Sequence, residues 1–167
     1  MAGAASMSRS SSSALAIASS FAIAGMLTLT PLPEWAVAWR PEWVALTLIY
    51  WVLTVPRQVG IGAGWALGLI MDAAQGTLLG AHALGFSVIA YITLRLYPRL
   101  RWFPLYQQAI FVGLMLLVYR SATLWINGIQ GFAQESWLYW APVLSSMVLW
   151  PCVSVLLQAT FRARGMR

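Results

Sequence analysis

The chain divides into six apolar runs, 14–29, 43–55, 59–79, 83–97, 105–126 and 137–161, separated by short breaks that hold most of its prolines and charges. A helix needs about 20 residues to cross about 30 Å of hydrocarbon. Runs of this length and spacing therefore predict an all-α, polytopic integral membrane protein of about six transmembrane helices. Composition excludes the soluble alternative. Of 167 residues 60% are hydrophobic and 8% charged, where a soluble domain carries roughly 25% charge, and so few polar groups cannot cover a surface that faces water.

The length leaves no room for a separate soluble domain. Residues 1–13 read as a disordered cytoplasmic tail, 14–161 as a six-helix membrane domain, and 162–167 as a basic cytoplasmic tail. The serine-rich leader with Arg9 imitates a secretory signal, but its apolar run is longer than a usual signal core and further membrane-like segments follow. A retained first span is the simpler reading.

Charge tests the topology independently. Every basic residue is an arginine, and the net charge is +6. Placing both chain ends inside puts Arg9, Arg57, Arg95, Arg99, Arg101, Arg162, Arg164 and Arg167 on the cytoplasmic side and leaves Arg40 alone in an outer loop, as the positive-inside rule requires. Such arginines face anionic lipid, so no nucleic-acid partner is expected. Trp35, Trp39, Trp43, Trp125, Trp137 and Trp140 then fall at the outer interface and Trp102 at the inner one. The segment 43–55 is short, reaching only about 20 Å, and reads either as a short span or as half of a re-entrant hairpin.

The third run carries the clearest pattern. Gly60, Gly64, Gly68, Asp72, Gly76 and Gly80 recur every four residues, which places them along one helix face and lets another backbone come close. The simplest use is packing within the same chain; the alternative is an interface with a partner. Asp72 lies in that stripe, and a carboxylate inside a membrane must find a partner. Counting residues from the breaks puts Arg120 at a similar depth, so the two are expected to pair, with Tyr119, Gln75 and His82 as alternative hydrogen-bond partners.

Chemistry is sparse. Cys152 stands alone and reads as a buried packing residue, and His82 has no second histidine or cysteine pair with which to hold a metal. No HExxH, GxSxG or Walker pattern occurs. No catalytic, cofactor or metal site is expected, and the chain reads as a non-enzyme. Ser145, Ser146 and Ser154 read as packing hydroxyls in the last helix.

Gly68, Leu69, Asp72, Gln75, Gly76, Leu79, Gly80, His82, Ala83 and Leu84, followed by the Leu- and Arg-rich stretch 91–101, resemble the bacterial rod shape-determining MreD family. Pro41, Trp43, Tyr50, Trp51, Pro56 and Gly60 before them, and Leu149, Trp150, Pro151, Leu156, Leu157, Arg162 and Arg164 after them, extend the likeness over roughly 41–165. The resemblance implies a multi-pass protein of the bacterial inner membrane. It further implies a subunit of the cell-elongation (Rod) complex that helps regulate cell shape and lateral peptidoglycan synthesis. MreC is the implied direct partner, with MreB, RodA and a penicillin-binding transpeptidase reached through it. The family has no assigned catalytic residues to carry over. Its helix arrangement is thought similar to the S components of vitamin transporters, which keeps open a small-molecule binder with a polar pocket among Asp72, His82, Gln134 and Glu135.

Overall fold

The computed structural model describes the backbone of residues 2–129 and 136–163, and the side chains of 14–129 and 136–160. Within these residues all regular secondary structure is helical. The order is α1 (Ala2–Leu29), α2 (Glu34–Val37), α3 (Trp43–Thr54), α4 (Ile61–Gln75), α5 (Ala81–Leu100), α6 (Leu105–Ile129), a 3-10 turn (Trp137–Trp140) and α7 (Ala141–Ala163). Gln134, Glu135, Arg164 and Arg167 lie outside the described residues. Helix α1 starts at Ala2, so its backbone takes in the serine-rich leader, for which composition predicts a disordered tail. Helix α5 also runs past the break expected at Pro98, ending at Leu100. Proline costs least near a helix end, where little of the ladder remains to be broken.

Leu105–Ile129 and Trp137–Thr160 are each long and apolar enough to cross a membrane, while Ala14–Leu29 and Trp43–Thr54 are shorter apolar helices. Both long helices expose large aliphatic side chains, among them Ile110, Leu114 and Val118 on α6 and Leu144, Val148 and Leu156 on α7. Apolar residues on the outer face of a helix this long are what lipid solvates. Cys152, expected to be buried, is exposed on α7.

Helix α3 forms the centre. Every residue from Val44 to Val52 is buried, and α1, α5, α6 and α7 all pack on it. A helix apolar all round belongs in a core, which accounts for the shortness of this segment. Its 12 residues rise only about 18 Å, but its middle meets protein on every side. Trp51 fastens α1 to this core by donating its indole N–H to Ser20 Oγ at 2.7 Å. Trp150, from α7, is buried in the same cluster.

The glycine stripe is consumed inside the chain. A Cβ on Gly64 would lie 2.8 Å from the Phe86 carbonyl oxygen and 3.3 Å from Ala90 Cβ, and one on Gly68 would run into the backbone of His82 and Ala83. Helices α4 and α5 therefore touch almost backbone to backbone, with Gly60 facing Leu94 at the far end. Gly76 and Gly80 do something different. Their φ values of 65° and 107° lie in the left-handed region, and together they turn the chain from α4 into α5.

Candidate functional site: a polar end of the bundle

Three connections meet at one end of the bundle: α1 to α3, α4 to α5, and α6 to α7. Their side chains surround a cavity of about 270 Å³, lined by Arg40, Glu42, Thr77, His82, Arg120 and Tyr139 among others. Toward the other end the middle of α1 and the α3–α4 connection share a crevice lined by Ala14, Ile17, Gln58 and Val59.

Asp72 sits in the last turn of α4 and is fully buried, at 0% exposure. The α4–α5 turn folds over it. Oδ2 accepts from Gly80 N at 2.8 Å and Ala83 N at 3.3 Å. Oδ1 accepts from His82 N at 3.0 Å, Thr77 Oγ1 at 2.9 Å and His82 Nδ1 at 2.7 Å. The physical reason lies at the start of α5. The first N–H groups of a helix have no partner within it, and Gly80, the residue at the N-cap, has no side chain to supply one. Asp72 performs the capping from the preceding helix, at the end of α5 where the helix dipole favours negative charge. An ionised carboxylate only accepts, so the proton of His82 resides on Nδ1. The ring packs against Phe86 and Tyr119, with centroids 6.0 and 6.1 Å away.

The expected pair of Asp72 and Arg120 does not form. Arg120 Nη1 instead meets Glu42 Oε1 at 2.5 Å, and its guanidinium lies over the Tyr139 ring, 4.4 Å from the centroid. Tyr139 returns a hydrogen bond from its hydroxyl to the Arg120 carbonyl at 2.8 Å, and Glu42 donates its backbone N–H to Ser146 Oγ at 3.0 Å. Glu42 thus joins the start of α3 to both α6 and α7. Residue counting brings Asp72 and Arg120 to the same end of the bundle, since Arg120 and the Asp72 partners Thr77 and His82 line one cavity. It cannot give their azimuth around the bundle, and Glu42, expected in a loop, is the acid within reach. The signal for Glu42 is its place next to Trp43, at the mouth of a helix with no exposed face.

Of the alternative partners for Asp72, His82 is the one that binds it. Gln75 and Tyr119 line the cavity instead. Arg40, set by sequence in a loop, closes α1 by donating to the carbonyls of Thr28 and Thr30 at 2.5 and 2.6 Å, which satisfies carbonyls left open at a helix C-terminus. Ser146 is the one of the three α7 serines whose hydroxyl reaches another element; Ser145 and Ser154 donate to carbonyls of their own helix. The described residues contain no group of His, Cys, Asp and Glu able to hold a metal ion.

The arrangement is one of structural locks around a small polar space. The Asp72–His82 couple has the look of a base and its orienter. The Thr77 hydroxyl stands 3.3 Å from the ring, but on Nδ1, the nitrogen that carries the proton, and it already donates to Asp72. The histidine therefore cannot act as a base on that hydroxyl in the way an activated nucleophile requires.

No solved structure matches the chain. The protein is 36% identical over 145 residues to the rod shape-determining protein MreD of Haemophilus influenzae, an alignment covering 85% of this chain and 88% of that relative. The family model for rod shape-determining protein MreD matches residues 8–160, a stretch that contains α3 to α6, the Asp72 turn and the polar cavity. The chain belongs to the MreD family of rod shape-determining proteins.

Proposed function

We propose that the chain is a non-catalytic subunit of the cell-elongation complex in the bacterial inner membrane, crossing it six times with both ends cytoplasmic. Membership of a shape-determining family over most of the chain carries the role in cell shape. Two features of the chain support a non-catalytic part in it. The helices use up nearly all the described residues, and the two acids beside the cavity, Glu42 and Asp72, are engaged with neighbours.

Association with MreC, and through it with MreB, RodA and a transpeptidase, belongs to the same reading. The glycine stripe is not where MreC docks, because Gly64 and Gly68 are buried under α5. Depletion in the source cell tests the role: rods should round up, and unchanged rods overturn the proposal. Co-purification of MreC from solubilised membranes tests the partner, and its absence under conditions that keep this chain folded removes that part. A transporter-like small-molecule binder stands as the second reading because a polar cavity of about 270 Å³ exists at the end of the bundle.

A further inference from the structure

We propose that this cavity seats a phosphate-type anion, presented as the headgroup of a lipid in the leaflet at that end. The charges on its wall are unequal. Arg40 and Arg120 line it with one carboxylate, Glu42, and that carboxylate is committed to Arg120. Asp72, behind the wall, is committed to the donors of the α4–α5 turn. Among the described residues the guanidinium of Arg40 meets carbonyls but no carboxylate. The Nε atoms of Arg40 and Arg120 are both buried without a hydrogen-bond partner there. Both carboxylates are engaged while each guanidinium keeps an unpaired N–H, so the charge balance favours an anionic acceptor.

Both guanidinium groups are already held in place, Arg40 by the end of α1 and Arg120 by Glu42 and the Tyr139 ring. Little side-chain freedom is then lost on binding. The cavity, about 270 Å³, has room for a headgroup phosphate. Position selects the source. Trp35, Trp39, Trp125 and Trp137, exposed by 79, 53, 78 and 91%, ring the same end, and exposed tryptophans mark headgroup depth. This last step rests on the multi-pass reading above. That reading is tested separately by labelling Trp35→Cys and Trp102→Cys in a Cys152→Ser background, which should be reached from opposite sides of the membrane.

The test is native mass spectrometry of the purified full chain in detergent, titrated with phosphatidylglycerol, diacylglycerol or inorganic phosphate. One equivalent of phosphatidylglycerol should bind, with diacylglycerol, which lacks the phosphate, at least about tenfold weaker, and Arg40→Gln should weaken phosphatidylglycerol by about tenfold or more, as loss of one charge-assisted contact implies. Thr123→Leu fills the cavity without removing a contact between helices, since Thr123 Oγ1 bonds only the Tyr119 carbonyl of its own helix. It should weaken binding too, and it decides the matter if Arg40→Gln does not fold. Arg95→Gln, in the other half of α5, should change nothing. Saturable binding of inorganic phosphate that Arg40→Gln abolishes, with no retained lipid, supports the anion seat and assigns it to a free ion. Equal binding of phosphatidylglycerol and diacylglycerol overturns the proposal, as does unchanged phosphatidylglycerol binding by folded Arg40→Gln or Thr123→Leu.

Discussion

Replacing Asp72 by alanine removes the acceptor from five hydrogen bonds of 2.7–3.3 Å that hold the α4–α5 turn and the first turn of α5. Two of the donors, the Thr77 hydroxyl and the His82 ring, can turn toward the cavity. The N–H groups of Gly80, His82 and Ala83 cannot. A stranded buried donor costs about 1–3 kcal/mol. The three share one site and are not additive, and Ala83 contributes least at 3.3 Å, so the total is about 3–5 kcal/mol. That exceeds the ordinary cost of about 0.5–2 kcal/mol for losing a helix cap, because three backbone donors lose their acceptor together. At roughly 2–4 °C per kcal/mol for a chain of this size, Tm should fall by roughly 6–20 °C.

The ten tryptophans make thermal unfolding in detergent readable by intrinsic fluorescence. His82→Ala removes one contact and leaves the backbone capped, so its loss should be about 1–2 kcal/mol. Asp72→Asn, which keeps one acceptor but turns amide hydrogens toward donors, should fall between the two. The reasoning is refuted if Asp72→Ala unfolds within about 2 °C of the parent, or no earlier than His82→Ala. A double-mutant cycle separates the observed partners from the expected one. Asp72→Ala should couple to His82→Ala by about 0.5–3 kcal/mol and to Arg120→Ala by less than about 0.5.

Glu42→Gln and Arg120→Ala should each cost about 2–3 kcal/mol in the same assay, below the 3–5 for a fully buried pair, since the two side chains stay 20 and 16% exposed; the double mutant should recover part of that loss. Gly68→Ala should prevent close packing of α4 on α5, because its Cβ would land on the Ala83 backbone, and stable protein should be scarce in membranes. Gly62→Ala on the same helix meets nothing within 4 Å and should be neutral or raise stability by up to about 1 kcal/mol through helix propensity. Trp51→Phe should cost about 1 kcal/mol or more by leaving Ser20 on α1 without the indole donor, again read as Tm.

The parts of the fold that follow from spacing alone are open to sequence reading. Apolar runs locate α3, α4, α6 and α7 and the end of α1 to within a few residues, because helix length and hydrophobic content are local properties. The glycine period announces a close helix contact, and α5 supplies it within the chain. What fails depends on direction. Residue counting gives height along a helix and says nothing of which neighbour a side chain faces, so it sets Arg120 against Asp72 when the arginine faces Glu42. The even period also conceals two different roles. Gly64 and Gly68 admit a backbone, whereas Gly76 and Gly80 supply positive φ. Spacing is the same for both, and only the stop of α4 at Gln75 separates them.

The charges at the polar end illustrate how a membrane fold uses very few of them. Asp72 caps α5, Arg40 closes α1, and Arg120 with Glu42 joins α3 to α6. Each satisfies groups that a helix terminus or a buried pairing would otherwise leave open, at the end of the bundle where chain direction must reverse and backbone groups come free. Locks placed this way hold the connections to one another without large loops. They also account for the cavity, since side chains spent on helix ends cannot fill the space between them. Part of what lines that space is then the unspent remainder of the locks, the guanidinium donors of Arg40 and Arg120. An anion-receptive surface then arises as a by-product of how the helices end.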